Sequence, residues 1–186
     1  MTGRSQRRRT FLMASGGLAS FLVGMGSLQQ SRAAEMGKRM PEFAGIDTWL
    51  NSEPLTMKGL RGQVVGVQFW TFGCINCQRT LPHITSLYDT YADQGFVLVG
   101  VHTPEFPHER DLGNIEKAMQ KWQIRYPVAV DNQFRTWRAY NNRYWPHLFL
   151  ADRSGILRFD HIGEGRYGDI QRAVELLLQL NSAPQG

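Results

Sequence analysis

Two apolar runs, the first interrupted only by Gln68, stand out in the hydrophobic pattern of the 186-residue chain. They cover residues 64–70, with the sequence VVGVQFW, and residues 96–101, with the sequence FVLVGV. Runs without polar alternation are typical of strands buried on both faces of a parallel sheet. Between them, apolar residues recur at helical spacing: Leu81, Ile84, Tyr88 and Tyr91. The pattern predicts a strand, a helix that ends near residue 93 and is bent or restarted at Pro82, and a second strand.

The rest of the pattern continues this alternation. Weaker apolar groups predict short strands at 49–50 and 55–57. Later come a helix at 112–122, a strand at 126–130, a short helix at 132–141, an antiparallel hairpin of 147–151 with 156–161, and an amphipathic helix through 170–180. Alternating strands and helices indicate an α/β fold with a central mixed sheet flanked by helices.

Candidate chemistry lies at the junction of the first long strand and its helix, where the only two cysteines, Cys74 and Cys77, stand. The free N–H groups and the dipole at a helix N-terminus favour a negative charge. They would stabilise a thiolate at Cys74, since thiols in such motifs have pKa values of roughly 3.5–7.5. Cys77 lies one turn further along the same helix face and can form a disulfide with Cys74. The pair is predicted to be a reversible dithiol switch.

A structural disulfide and a metal site are the other uses of such a pair. A structural disulfide usually closes a longer loop, because a short loop constrains the unfolded chain little. A structural zinc site usually has four ligands. The five histidines are scattered along the chain: His83, His102, His108, His147 and His161. We therefore expect no metal and no cofactor beyond the redox-active pair itself.

The formal net charge of +5 originates at the N-terminus. Five arginines precede Ala34: Arg4, Arg7, Arg8, Arg9 and Arg32. Subtracting these 5 from the 21 basic residues leaves 16, which equals the 16 acidic residues. Because the remaining chain has no excess of basic residues, we expect no nucleic-acid partner.

Residues 1–33 are predicted to be an export signal. The sequence RRRTFLM at 7–13 resembles a twin-arginine signal, and a mildly hydrophobic stretch follows at 11–28. Small residues at positions 31 and 33, Ser31 and Ala33, favour cleavage before Ala34. An uncleaved membrane anchor is the alternative, and this segment would then be the expected membrane contact. We expect an extracytoplasmic location, in the periplasm or an equivalent compartment.

The rest of the chain is predicted to form one folded domain. It comprises a flexible segment at 34–42, the domain itself at 43–180 and a frayed tail at 181–186. In an oxidising compartment, structural disulfides are common and a stray thiol is a liability. A single vicinal cysteine pair therefore suits a thiol–disulfide enzyme better than a domain held together by disulfides.

Several short motifs resemble the thioredoxin superfamily. They are Phe69-Trp70, Cys74-Ile75-Asn76-Cys77, Pro82, Val101-His102-Thr103-Pro104-Glu105-Phe106, Tyr144-Trp145-Pro146 and Gly163-Glu164-Gly165. Together and in this order they resemble the thioredoxin-like domain of DipZ proteins, within the TlpA-like group of extracytoplasmic members. The resemblance covers residues 43–180.

This resemblance implies a thioredoxin-like fold with a sheet of four or five strands and a helix-and-strand insertion at 100–131. It also implies a cis peptide between Trp145 and Pro146 that faces the disulfide, where an extended substrate segment could pair. Full-length DipZ proteins carry a membrane electron-transfer domain before this module. None is present in this sequence, so a separate membrane-bound electron donor is expected.

The chain departs from the thioredoxin pattern at two positions. Thioredoxins usually place a buried acid two residues before the tryptophan of the strand, but Gln68 stands there and cannot accept the proton of the second cysteine. Glu105, at the end of the neighbouring strand, is a candidate substitute or an ordinary solvated acid. Gly73 replaces the tryptophan before the first cysteine, so substrate contacts are expected from other aromatic residues. These are Trp70, Phe72 and Trp145, of which Trp70 is best explained by packing.

These features predict an exported thiol:disulfide oxidoreductase that exchanges the Cys74–Cys77 dithiol with disulfides of exported proteins. The same exchange run in reverse would oxidise substrates, and the TlpA-like resemblance favours reduction. A peroxidase of the peroxiredoxin type is an alternative, because Thr71-Phe72-Gly73-Cys74 matches T-x-x-C, although Val67 stands where those proteins have a proline. A copper-binding chaperone of thioredoxin fold is a third hypothesis, although its cysteines would be spaced three apart rather than two.

Overall fold

The computed structural model describes residues 36–180 of the chain. Six strands and four α-helices alternate in this part. The strands are β1 (Thr48–Leu50), β2 (Val64–Trp70), β3 (Phe96–His102), β4 (Val128–Val130), β5 (His147–Ala151) and β6 (Leu157–Ile162). The helices are α1 (Ile75–Tyr91), α2 (Leu112–Lys121), α3 (Arg135–Ala139) and α4 (Tyr167–Gln179). Two 3-10 turns, Ala92–Gln94 and Pro107–Arg110, follow α1 and β3.

All six strands belong to one mixed sheet in the order β1-β4-β3-β2-β5-β6. The pairs β2–β3 and β3–β4 are parallel, and the other three pairs are antiparallel. The predicted α/β architecture is confirmed. The expected four or five strands are too few, because β1 pairs with β4 and extends the sheet beyond the predicted insertion. Residues 55–57, predicted as a strand, form none.

The helix that starts at the cysteine pair is more regular than the sequence suggested. It runs unbroken from Ile75 to Tyr91 with Pro82 inside it. Of the two predicted effects of this proline, a bend or a restart, the restart is therefore wrong. Leu81 and Ile84, on either side of the proline, are buried in the core. Their packing compensates for the hydrogen bond that proline cannot donate, since tertiary contacts supply most helix stability in proteins.

The sheet carries an apolar cluster on each face. One cluster joins Trp70 of β2 to α1 and α4, and the other joins Phe69 of β2 to Tyr140 and to Phe149 of β5. Successive residues of a strand point to opposite faces, so β2 contributes to both clusters, and all seven of its residues are buried. With neighbours on both sides, β2 fixes the position of the loop that leads into α1.

The predicted flexible segment at 34–42 needs correction for the residues that the structure describes. The Gly37 N–H donates to the Leu157 carbonyl at 3.0 Å, and the Met40 N–H donates to the Gly155 carbonyl at 2.9 Å. Met40 is buried in the second cluster. Residues 36–42 therefore pack against the β5–β6 hairpin as part of the domain.

The predicted export signal at 1–33 and the predicted tail at 181–186 lie outside the described residues. Within residues 36–180, no helix has the length and apolar character required to cross a membrane.

Candidate active site

Cys74 is the residue from which α1 starts. It is the N-cap, with φ −76° and ψ 117°, and its Sγ accepts a hydrogen bond from the Cys77 N–H at 3.4 Å. Cys74 is partly exposed, whereas Cys77 is completely buried in the cluster beneath α1. Both thiols are free. The structure therefore brings the pair together at the junction of a strand and a helix, as predicted.

The two thiols have opposite pKa shifts. The pKa of Cys74 is lowered to about 6, chiefly because the Cys77 side chain donates a hydrogen bond to it, with further hydrogen bonds from the backbone of Cys77 and Asn76; burial opposes this shift. The pKa of Cys77 is raised, first by burial and then by its hydrogen bond to Cys74. At neutral pH, Cys74 is therefore mostly a thiolate and Cys77 remains a thiol.

Trp145 and Pro146 form the wall next to Cys74, and the peptide bond between them is cis. The Trp145 carbonyl oxygen lies 3.8 Å from Cys74 Sγ. The Trp145 indole donates to the Thr103 carbonyl at 3.0 Å and stacks on Trp137, with ring centroids 4.1 Å apart. This wall is therefore held from both sides and brings a backbone carbonyl to the partly exposed sulfur.

Gln68 and Trp70 lie in the core and not at the surface. Both are almost fully inaccessible, and Trp70 packs edge-on against the His102 ring. Trp70 therefore packs in the core, which is the role that the sequence favoured for it. Both amide atoms of Gln68 are buried without a hydrogen-bond partner among the described residues. Its neutral amide leaves no buried acid at this position of β2.

Glu105 lies in an exposed loop after β3. Its negative charge raises the pKa of both cysteines slightly, since it is the last cause in each case. A contribution of Glu105 to the proton of Cys77 stays a prediction. The acid that does contact the cysteine loop is Glu109, which is fully buried and accepts a hydrogen bond from the Gly73 N–H at 2.8 Å.

Sequence reasoning did not select Glu109. It lies four residues after Glu105, in the 3-10 turn Pro107–Arg110, where most neighbouring residues are polar. One signal was available in retrospect, namely the glycine at position 73 where thioredoxins carry a large residue. Such a glycine indicates that another group approaches the backbone closely.

Thr71, the threonine of the T-x-x-C pattern, is completely buried. Its hydroxyl lies 3.4 Å from His102 Nε2 and also donates to the Glu109 carboxylate. Burial lowers the pKa of His102 to about 4, so this ring is neutral at physiological pH. A hydroxyl enclosed in this way is not available to a peroxide at the Cys74 sulfur.

Three apolar side chains with substantial exposure belong to the segments next to Cys74. Ile75 follows it in the chain, Tyr144 precedes the Trp145 wall, and Phe106 lies beside Gly73. Each has between 44% and 56% of its surface exposed. Apolar groups clustered on a surface indicate a contact with another molecule.

Within residues 36–180, no three His, Cys, Asp or Glu side chains are grouped so that they could hold a metal ion. The chemistry available at this site is thiol chemistry. Cys74 can act as a nucleophile, and the buried Cys77 can react with it to form a disulfide.

A partly exposed thiolate at a helix N-terminus, with a buried thiol one turn on and a cis-proline wall, defines a thioredoxin-like protein. The model of the AhpC/TSA family matches residues 36–160, and the chain belongs to this family.

Related proteins agree with this assignment. Protein DipZ of Mycobacterium tuberculosis is 44% identical over 149 residues, which are 78% of this chain and 21% of DipZ. The chain thus spans about a fifth of the length of that relative. Thiol-disulfide oxidoreductase YkuV of Bacillus subtilis is 28% identical over 139 residues, 75% of this chain and 93% of YkuV. The solution structure of a thioredoxin-like protein in the oxidized form matches with a TM-score of 0.71 and 28% identity, covering 77% of this chain and 96% of that one.

The predicted thioredoxin-like fold and the resemblance to DipZ are confirmed by these comparisons. The oxidoreductase prediction agrees with the name of the relative YkuV, a thiol-disulfide oxidoreductase.

Proposed function

We propose that this protein is an exported thiol:disulfide oxidoreductase that reduces disulfide bonds of exported proteins through Cys74 and Cys77. The observation that carries the proposal is the asymmetry of the two thiols. Cys74 has a pKa of about 6 and is partly exposed, whereas Cys77 is buried and protonated one turn away. Cys74 is therefore suited to attack a substrate disulfide, and Cys77 is suited to resolve the mixed disulfide that forms on Cys74.

In the first step, the Cys74 thiolate attacks one sulfur of a substrate disulfide. A new bond forms between Cys74 Sγ and that sulfur, the substrate S–S bond breaks, and the second substrate sulfur leaves as a thiolate. The developing charge on the leaving sulfur requires no metal, since thiolates are good leaving groups near neutral pH.

In the second step, Cys77 attacks the sulfur of Cys74 in the mixed disulfide. Its proton passes to a departing substrate thiolate, the mixed disulfide breaks, and Cys74 and Cys77 become joined. The substrate has gained two electrons and the enzyme has lost two. The substrate becomes a dithiol when its first thiolate takes a proton from water. A further donor of two electrons must then reduce the Cys74–Cys77 disulfide, and we propose a separate membrane-bound dithiol protein for this step.

The surface around Cys74 supports a polypeptide as the substrate. Ile75 follows Cys74 in the chain, Phe106 lies beside Gly73, and Tyr144 precedes the Trp145 wall, and all three expose apolar surface that a polypeptide could contact. An extended segment laid across them would bring its cysteine to Cys74 beside the Trp145 carbonyl. The twin-arginine pattern at 7–13 and the single cysteine pair support an extracytoplasmic site of action.

The test is to trap the mixed disulfide. The reduced Cys77→Ser protein is incubated with insulin as a disulfide-bonded probe, and adducts are identified by mass spectrometry. We expect an adduct on Cys74 that dithiothreitol releases, and none with Cys74→Ser as the matched control. If wild-type protein fails to reduce insulin and Cys77→Ser forms no adduct, the proposal is wrong.

The direction of electron flow follows from the reduction potential of the pair. Equilibration of the protein with thiol buffers, followed by tryptophan fluorescence, measures it. A value near about −270 mV, as in thioredoxin, supports a reductant, whereas one near about −120 mV would mean that the protein donates disulfides.

A further inference from the structure

Glu109 is a buried carboxylate in the 3-10 turn after β3, and it has no exposed surface. A charged group removed from water is costly unless hydrogen bonds replace its hydration. Four donors do so here. They are the backbone N–H groups of Gly73, Glu105 and Phe106, and the hydroxyl of Thr71.

These donors come from two separate segments of the chain. Oε1 accepts from the Gly73 N–H at 2.8 Å, in the loop that leads from β2 into α1. Oε2 accepts from the Phe106 N–H at 2.8 Å, in the loop after β3. The carboxylate therefore bridges the residue just before Cys74 to a loop that begins 30 residues further along the chain.

The glycine at position 73 fits this bridge. A Cβ atom at residue 73 would lie 2.2 Å from Glu109 Oε1 and 3.2 Å from its carboxyl carbon. Two atoms cannot approach so closely, so a side chain here would displace the carboxylate. Gly73 has no left-handed φ, so its lack of a side chain serves close approach and not an unusual backbone conformation.

The charge of Glu109 is retained despite its burial. Burial by itself raises the pKa of this carboxyl, but hydrogen bonds from Phe106, Thr71, Glu105 and Gly73 outweigh it and the pKa is lowered. The nearby His102 ring is neutral because its own pKa falls to about 4. Glu109 is therefore an anion over the range in which Cys74 titrates.

We propose that Glu109 is a positioning residue for the nucleophile: by holding the Gly73 N–H, it fixes Cys74 at the helix start where Sγ accepts its hydrogen bonds. This inference rests on the proposed function, since it concerns the thiolate that attacks the substrate. Glu109 touches neither sulfur in the described contacts. It acts through the backbone of Gly73, which is bonded directly to Cys74.

The test is Glu109→Gln, which keeps the size of the side chain. The amide of glutamine has a single acceptor oxygen, so it can accept a hydrogen bond from the Gly73 N–H or from the Phe106 N–H, but not from both sides of the bridge. Its NH₂ group then faces an N–H donor on the remaining side, and that hydrogen bond is lost. The pH dependence of Cys74 alkylation by iodoacetamide is measured in the Cys77→Ser background. We expect its midpoint to rise by about one pH unit relative to the Cys77→Ser parent, and the rate at the parent's midpoint to fall roughly fivefold.

Two further variants make the result specific. Glu116→Gln makes the same chemical change at an exposed position of α2 and should leave the midpoint unchanged. Gly73→Ala displaces the carboxylate from the other side and should raise the midpoint as Glu109→Gln does. If Glu109→Gln does not fold, Gly73→Ala tests the same bridge in its place. Combining the two should give little more than either alone, because both break one bridge.

A Cys74 midpoint that stays at the parent value in folded Glu109→Gln or Gly73→Ala protein overturns the inference. This outcome differs from failure of the proposed function, in which the wild-type protein itself does not reduce insulin. Thermal unfolding of each variant is recorded alongside, since a merely structural role would lower stability without moving the midpoint.

Discussion

At the scale of single residues, the two cysteines show how position in the fold separates identical side chains. Cys74 stands at a helix start and receives hydrogen bonds, and its pKa is lowered to about 6. Cys77, three residues on, is enclosed by apolar side chains, and its pKa is raised. The attacking and resolving roles follow from this difference in solvation and hydrogen bonding.

The hydrogen bond from Cys77 is the largest cause that lowers the pKa of Cys74. We therefore expect Cys77→Ala to raise the midpoint of Cys74 alkylation above the wild-type value of about 6, so that less thiolate is present at neutral pH. Cys77→Ser retains a donor and should give an intermediate midpoint. Because wild-type protein holds about ten thiolates per thiol at pH 7, the loss is measurable in the rate at that pH. An unchanged midpoint in Cys77→Ala would contradict this account.

At the scale of elements, α3 depends on a carboxylate that precedes it. The helix has only five residues, and its N-cap Phe134 has a φ of 58° and offers no capping side chain. Asp131, at the end of β4, accepts instead from the N–H groups of Arg135 and Trp137, each at 2.8 Å, and of Thr136 at 3.3 Å. A short helix of this kind is stable only with such support.

Asp131→Ala should lower the free energy of unfolding by roughly 2 kcal/mol, at the upper end of the range for a lost cap, because buried N–H groups lose their acceptor. Urea unfolding followed by tryptophan fluorescence measures it. Asp111→Ala is the matched control, since Asp111 caps α2 at the surface through one bond to the Asn114 N–H. Its cost should be about 0.5–1 kcal/mol. Equal costs for the two variants would contradict the special role of Asp131.

α3 also bears on the site. Trp137 of this helix stacks on Trp145 at 4.1 Å and packs edge-on against Phe69 of β2 at 5.6 Å. The cis-proline wall therefore packs against a helix whose N-terminus is held by Asp131. The sequence predicted a short helix at 132–141, but its five-residue extent and its support by Asp131 became evident only from the structure.

At the scale of the molecule, the domain is a sheet with an apolar cluster on each face. The segment of residues 36–42 contributes to one of these clusters. Its backbone pairs with the hairpin at Gly155 and Leu157. Met40 supplies an apolar side chain to the cluster that also contains Phe69 and Phe149. This segment therefore contributes to the stability of the whole fold.

Met40→Ala should lower the free energy of unfolding by about 2–3 kcal/mol, as expected for deletion of a buried methionine side chain. Met36→Ala makes the same change where 38% of the side chain is exposed and should alter stability by less than about 0.5 kcal/mol. Both are measured by urea unfolding of the full chain. If Met40→Ala behaved as Met36→Ala does, the segment would not be part of the cooperative unit.

The sequence by itself determined what depends on neighbours along the chain. Apolar runs gave the bounds of β2 and β5 as residues 64–70 and 147–151, and the change of period placed Cys74 at a helix start. These features follow from local burial and helix-end chemistry, which act within a few residues. They were enough to indicate the fold and the nucleophile.

Only the tertiary structure decided what depends on distant segments. It selected the buried Glu109 as the acid against the cysteine loop and placed Glu105 at the surface, and it paired residues 37–40 with residues 155–157. Such contacts join groups that lie tens of residues apart or more, and a carboxylate looks the same in the sequence whether solvent or backbone N–H groups will surround it. Hydrophobic periodicity indicates that a residue is buried. Its hydrogen-bond or packing partner depends on which segments the fold brings together.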